Sequence, residues 1–432
     1  MLFFVQIICT TILLLSVPAL FYLLGRKTFP RVFRRIAYEL HLWLGIASGL
    51  ILFVVCLSGT LLTFKNEMIL FLEHDRYHIK ISDTAVPKNL EELVSLVETT
   101  EQGKAVRVTI PPVNDQAWIF NVKKEKADSA KLPAGMPAGH AMLGTAYLVN
   151  PYTGESLGQQ RSKIYMLFMM LTFLHRFLLL DIRTGQIIVG SATLIFLVLV
   201  VSGLCLWFPS KLRVWKGWLS GLNIRTKKGW GRLLYDFHNT LVFYVLIPVV
   251  MMALTGPIIS FAWYRSAVGQ ILRTKPFGRA LEKPVSSKTV DSGQQHLRWD
   301  HFIDQGNQIV TRKGTTRLSF PQSPEESVTF QRIGAGFCNI AATDKIQFDQ
   351  YTGDLLKCDL FDQLPFNEKI ASLIFPLHNG EIFGTVSKAI YFVTCLIATS
   401  LPITGVILWV RKLRSRYYKR KKRTQYCRNI KG

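Results

Sequence analysis

Five apolar stretches stand out along the chain: Leu2–Gly25, His41–Phe64, roughly Gln186–Phe208, Phe237–Tyr264 and Ala389–Val410. Each reaches the ~20 residues that a helix needs to cross a bilayer. Between them lie polar segments whose apolar residues alternate, as in "AVRVTI", "AWIFNV" and "SVTFQRI". Alternation of that period predicts half-buried strands. The pattern predicts an α-helical membrane bundle of about five transmembrane helices, with two α+β domains on one side of it. The expected organisation is a helix over 1–25, a helix over 36–64, an outer domain over 65–162, and an interfacial helix plus a span over 163–210. A loop over 211–232, a helix over 233–264, a second outer domain over 265–375, a span over 376–410 and a tail over 411–432 complete it.

Charge orients this arrangement. Arg26, Lys27, Arg31, Arg34 and Arg35 lie between the first two spans. Lys211, Arg213, Lys216, Arg225, Lys227, Lys228 and Arg232 lie between the third and fourth, and Arg411, Lys412, Arg414, Arg416 and the run Lys419–Arg423 follow the fifth. With five spans all three clusters fall on one side, which the positive-inside rule makes the cytoplasm. The amino terminus is then outside and the carboxy terminus inside. The first span lacks a basic n-region, so it is expected to be a retained helix. The net charge of +24 on 432 residues, 49% of them hydrophobic, sits beside the spans. It points to anionic lipid as a partner and not to nucleic acid.

One further stretch, Ile164–Leu180, competes for a span but carries His175 and Arg176. A sixth span would split the basic clusters, so an interfacial or partly inserted helix on the outer face is expected. Of the cysteines, only Cys338 and Cys358 share the outer compartment, where a disulfide could persist. No CxxC or CxxCH motif occurs, and neither does GxGxxG or Walker A. The short cytoplasmic parts leave no room for a nucleotide or flavin domain, so any electron donor is a separate reductase or membrane quinol.

Landmarks recur at a nearly constant offset. His41 is followed 197 positions later by His238, Gly154 199 later by Gly353, Gly203 202 later by Gly405, and His175 203 later by His378. The glycines Gly154 and Gly353 close the turns "VNPYTGES" and "FDQYTGDL", where a positive-φ glycine ends a strand. A glycine also follows each first histidine after 18 positions (Gly59 and Gly256), about 27 Å along a helix. These offsets predict an internal duplication. Joined about an axis along the membrane normal, the halves bring His41 to His238 at the inner side and His175 to His378 at the outer side. Histidine pairs on facing helices suit the axial positions of b-type haem. Zinc usually wants four ligands, and a proton relay usually includes carboxylates; spacing alone leaves all three chemistries open.

The stretches "ELHLWLGIASGLILFVVCLSGTLLTF", "LHRFLLL", "SGLCLWFP", "YDFHNTL", "PLHNGEIFG" and "TGVILWV" resemble the PepSY-associated transmembrane family of bacterial inner-membrane proteins. The paired "NPYTGE" and "DQYTGD" turns resemble the ends of PepSY domains, and the similarity covers about Arg31–Arg414. The resemblance implies two periplasmic PepSY-like domains and a ferric-siderophore reductase with two b-type haems. His41 and His238 would hold the inner haem iron, His175 and His378 the outer. The ferric chelate would be met in the periplasm. The first span, and "HNTLVFY" without a glycine soon after the histidine, depart from the family pattern. PepSY domains are also linked to protease inhibition. A membrane-anchored binding module without redox activity, and an electron conduit to another periplasmic protein, are therefore the competing expectations.

Lesser candidates complete the reading. His74 and His78 share a face if the second helix continues outward. His140, His296 and His301 have no repeat partners and are expected to be surface or core residues. Trp207 and Trp409 fit an aromatic belt. Asp181 and Asp236 look like interface residues. Arg176 is placed to meet either a haem propionate or lipid headgroups. With Lys163 and Arg183 it borders the expected docking face.

Overall fold

The computed structural model describes residues 31–81, 85–124, 144–208, 221–277, 285–287, 295–334 and 340–431. The expected span Leu2–Gly25, part of the basic loop over 211–232, His140 and Cys338 lie outside the described residues. Cys56, Cys205, Cys358 and Cys395 are free thiols.

The chain begins with α1 (Arg31–Leu62), α2 (Lys65–Leu72), a single turn over His74–Tyr77, and α3 (Leu90–Glu101). Strands β1 (Lys104–Ile110), β2 (Trp118–Lys123), β3 (Thr145–Val149) and β4 (Ser156–Gln159) follow, then α4 (Lys163–Phe177) and α5 (Ile182–Trp207). The second half has α6 (Trp230–Asp236), a π-helical turn over Phe237–Leu241, α7 (Leu246–Ser260) and α8 (Trp299–Ile309). Strands β5 (Gly314–Ser319), β6 (Val328–Gly334), β7 (Thr343–Phe348) and β8 (Leu355–Asp359) precede α9 (Ile374–Asn379) and the long α10 (Gly384–Lys431).

Among the described residues three helices are long and apolar enough to span: Val32–Leu62, Ile182–Trp207 and Glu381–Lys422. Their polarity is inverted relative to a soluble bundle. Ser48, Ser58, Thr60, Ser202 and Thr399 are buried, whereas Leu50 is 76% exposed and Leu57, Leu61, Val198 and Ile403 face outward. Hydroxyls inside and leucines outside are what a lipid solvent selects. The fourth expected span, Phe237–Tyr264, is not one straight helix. Trp230–Tyr244 and Leu246–Ser260 meet at 71°, with the break at Val245, so they make a fourth crossing only as a broken pair. Pro248 has no N–H for the Tyr244 carbonyl, and the preceding π turn disturbs the ladder in advance of the kink; both are recurrent causes of helix bending. Helix α4, at 15 residues, is about 22 Å long and too short to span by itself. It starts at Ser162, whose hydroxyl accepts from Tyr165 N at 2.9 Å.

The two polar segments do not fold as separate sheets. They form one eight-stranded antiparallel sheet ordered β4-β3-β2-β1-β5-β6-β7-β8. Its seam is the pairing of β1 with β5, Val108 opposite Leu318. Each strand alone would expose an open edge, and pairing them removes both. One face packs under α3 and α8, with Leu93, Val97, Val108, Phe120, Phe302, Leu318, Phe330 and Phe348 in the core. The opposite face turns toward the bundle: Leu148 and Ala117 pack with Ile69 of α2 and Phe168 of α4. The two glycine turns take the expected form. Asn150 Oδ1 accepts from Tyr152 N and Asp349 Oδ1 from Tyr351 N, both at 2.9 Å, and Gly154 and Gly353 have φ of 79° and 75°.

Candidate functional site

Two histidine pairs lie within the helices. His41, on α1, and His238, in the π turn, have ring centres 6.2 Å apart with planes at 87°. His175, near the end of α4, and His378, on α9, have centres 6.4 Å apart with planes at 58°. On α1, His41 and Ser58 are 17 residues apart, so the two pairs sit about 26 Å from one another along that helix.

Each ring is seated in the same way. The His41 Nδ1 lies 3.0 Å from Leu199 O and 3.1 Å from Ser202 Oγ on α5. The His175 Nδ1 lies 2.9 Å from Val55 O and 3.3 Å from Ser58 Oγ on α1. His238 Nδ1 meets Thr404 Oγ1 on α10 at 2.9 Å, and His378 Nδ1 meets Thr255 Oγ1 on α7 at 3.0 Å. A glycine follows each hydroxyl residue and lies under the ring. A Cβ added at Gly203 would come 3.1 Å from the His41 Cε1, at Gly59 3.1 Å from that of His175, at Gly405 3.3 Å from that of His238, and at Gly256 3.5 Å from that of His378. Four Ser/Thr–Gly pairs thus hold four histidines: the hydroxyl grips and the missing side chain makes room.

The bonds settle the tautomer. A carbonyl only accepts, so Nδ1 of His41 and of His175 carries the proton. The hydroxyls of Ser58, Ser202, Thr255 and Thr404 each donate to the carbonyl four residues back, of Val54, Val198, Met251 and Ser400. Their lone pairs are left to accept from the rings. All four Nε2 atoms are then bare lone pairs, and none makes a hydrogen bond among the described residues. An imidazole with Nδ1–H engaged and Nε2 free is prepared as a metal ligand. Two imidazoles on one metal, each at roughly 2 Å with roughly 1 Å more to the ring centre, have centres roughly 6 Å apart. Both pairs meet that separation. Among the described residues no group of three or more His, Cys, Asp or Glu is placed around a metal. The donor sets are pairs, which suit two axial positions and not a closed tetrahedral shell.

The chain belongs to the PepSY-associated TM family. The match to the family's PepSY-associated TM region spans residues 38–412, taking in both histidine pairs, all four Ser/Thr–Gly seats and the whole sheet. A search of curated proteins finds no match.

The other sequence candidates have different environments. His74 and His78 do come together, rings stacked at 3.9 Å and 5°, on an exposed turn with Asp75. His296 stacks on Trp299 at 4.0 Å, and His301 packs beside Gly353. Trp207 is not a belt residue: it is buried, stacked on Phe243 at 4.1 Å, with its indole N–H on Gly221 O. Asp236 is buried within the protein and paired with Arg232 at 2.8 Å. Arg176 lies over the Phe177 ring at 4.9 Å. Arg34 has a role beyond topology, donating to Leu206 O and Phe208 O at the end of α5. A cation there offsets the carbonyl end of the helix dipole beside the inner pair.

Proposed function

We propose that this chain is a di-haem reductase of the bacterial inner membrane. It takes electrons from a donor at its basic, cytoplasmic end. It delivers them to a ferric chelate, a ferric siderophore in the first instance, at its sheet-bearing, periplasmic end. The observation that carries the proposal is the pair of matched histidine couples, each at the separation two ligands of one metal require and each with Nδ1 engaged. His41 and His238 would hold one haem iron and His175 and His378 the other. A b-type haem held by two histidines supplies a reversible one-electron Fe(III)/Fe(II) couple.

The chain's own residues orient the four half-buried imidazoles and hold each Nδ1 proton on a hydroxyl or carbonyl of a neighbouring helix. Such outer partners raise ligand basicity and fix ring orientation. The donor is quinol or a separate cytoplasmic reductase. One electron converts the chelated Fe(III) to Fe(II), which a hard-oxygen chelator holds less firmly, and the metal is released for uptake. The proposal includes a five-span topology with the carboxy terminus inside. It also takes the chain as an internal duplication, a reading supported by the mirrored strand order and by the four equivalent histidine seats.

The experiment is direct. Protein in detergent is reduced with dithionite, freed of excess reductant, and mixed with a panel of ferric chelates plus a ferrous-specific chromophore. The proposal expects reoxidation of the haem bands with stoichiometric ferrous iron. Haem that stays reduced with every chelate but is oxidised by a periplasmic redox protein would replace the ferric acceptor with a protein one.

A further inference from the structure

The seam of the sheet carries an unclaimed basic pair. Arg107 on β1 stands opposite Ser319, and Arg317 on β5 opposite Thr109. They are diagonal neighbours, about 7–8 Å apart by strand geometry. Both point to the bundle side: Thr109 and Arg317 continue the row of Ile119 and Leu148, whose cluster includes residues of α2 and α4. Arg107 Nε donates to Ser319 Oγ at 3.0 Å. Its terminal nitrogens, and the whole Arg317 guanidinium, have no bonded partner among the described residues. Both are half-buried.

This arrangement is costly as it stands. Two like charges share one partly desolvated face, and burial together with the Arg317 charge pushes the Arg107 guanidinium down to about 10. Nearby carboxylates do not neutralise them fully. Glu381, whose charge acts on Arg317, is engaged by the buried Lys388 at 3.1 Å, and Lys388 also holds Glu67 at 2.7 Å. Three cations therefore face two carboxylates, and the surplus lies on the two arginines. Glu381 follows His378 by three residues, in the turn whose Ile382 O accepts from Ala341 N beside the sheet. The basic face is thus tied to the element that carries the outer histidine pair.

We propose that Arg107 and Arg317 form the anion-binding half of the acceptor site and select ferric chelates that present free carboxylates over chelates without net negative charge. The two guanidinium forks, on adjacent strands, match bidentate carboxylates. The proposal rests on the reductase reading for the identity of its ligand as a ferric chelate.

The test separates the two. Redox-inert gallium(III) citrate is titrated into the full-length protein in detergent by calorimetry. The chains compared are wild type, the double variant Arg107→Gln with Arg317→Gln, and the charge-keeping double variant Arg107→Lys with Arg317→Lys. The expected result is binding to wild type, about tenfold weaker binding to the glutamine variant, and an intermediate value for the lysine variant. In the reoxidation assay, ferric citrate should slow by the same factor in the glutamine variant. A ferric trishydroxamate without negative charge should change less than about twofold. Absent binding to wild type, equal binding to all three chains, or equal slowing of both chelates overturns the proposal. So does loss of half the haem in the glutamine variant with gallium citrate binding intact, because the pair would then serve haem propionates. Pair-dependent gallium binding without any reoxidation by ferric chelates upholds the anion site and removes the reductase reading instead.

Discussion

The inner and outer histidine pairs use one device on two scaffolds. His41 sits ten residues into a 32-residue helix, and its seat, Ser202 and Gly203, lies near the end of another spanning helix. His175 and His378 are carried by helices of 15 and 6 residues that cannot span, and rest against the ends of α1 and α7 under the sheet. The inner pair is therefore built from the bundle itself, and the outer pair from elements inserted between bundle and sheet. The chemistry of the seat is constant while its support changes. Under the proposed function, the constant part serves metal ligation and the variable part access from one side.

The largest expected effect separates the pairs outright. His41→Ala or His238→Ala should leave about one haem per chain, with His175→Ala and His378→Ala removing the other one, as read by haemochrome content and by which absorbance band disappears. If His41→Ala and His378→Ala removed the same band, the pairing would be wrong and the comparison with it. Next come the glycines. Gly203→Leu and Gly59→Leu place carbon where the Cβ alone meets a ring at 3.1 Å. Each should displace one imidazole and cut occupancy of that site by about tenfold or more, without touching the other. Equal loss at both sites would mean that these glycines serve helix packing in general.

The smallest effects test the hydroxyls. All four rings face the carbonyl three residues before the seat hydroxyl. The carbonyl is the shorter contact for His41 and His175, at 3.0 and 2.9 Å, whereas for His238 and His378, beside Leu401 and Met252, the threonine hydroxyl is the close partner at 2.9 and 3.0 Å. Thr404→Val and Thr255→Val should therefore weaken haem retention by roughly 10–100-fold and shift the midpoint potential. Ser202→Ala and Ser58→Ala should shift it less, because the carbonyl still takes the proton. Spectroelectrochemical titration reads both. Serine variants as damaging as threonine variants would show that the hydroxyls set the seat and the carbonyls do not.

Much of this arrangement was legible in the chain. Hydropathy located α1, α5 and α10, the Asn/Asp–Gly turns fixed two strand ends, and the repeat offsets brought the right histidines together. The rest was not, for physical reasons. The joining of β1 to β5 is a pairing between segments some 210 residues apart, and an alternating strand does not announce its neighbour. The π turn at His238 follows from packing, with no proline or glycine within it. The bend at Val245 does have a mark in Pro248, which offers no N–H to the Tyr244 carbonyl, but one proline inside an apolar run does not tell a broken span from a straight one. Gly59, Gly203, Gly256 and Gly405 were visible as landmarks, but the hydroxyl before each was not. Serine and threonine in an apolar helix ordinarily bond back to their own carbonyls, as these four also do. Arg107 and Arg317 sit at alternate strand positions, where a charged residue reads as a solvent face.

The central claim is that two histidine couples each hold a haem, and the pyridine haemochrome assay on purified wild-type protein, expressed with ample haem, tests it most directly. The account predicts about two haem b per chain. A colourless protein with none, its helices otherwise folded, would contradict it.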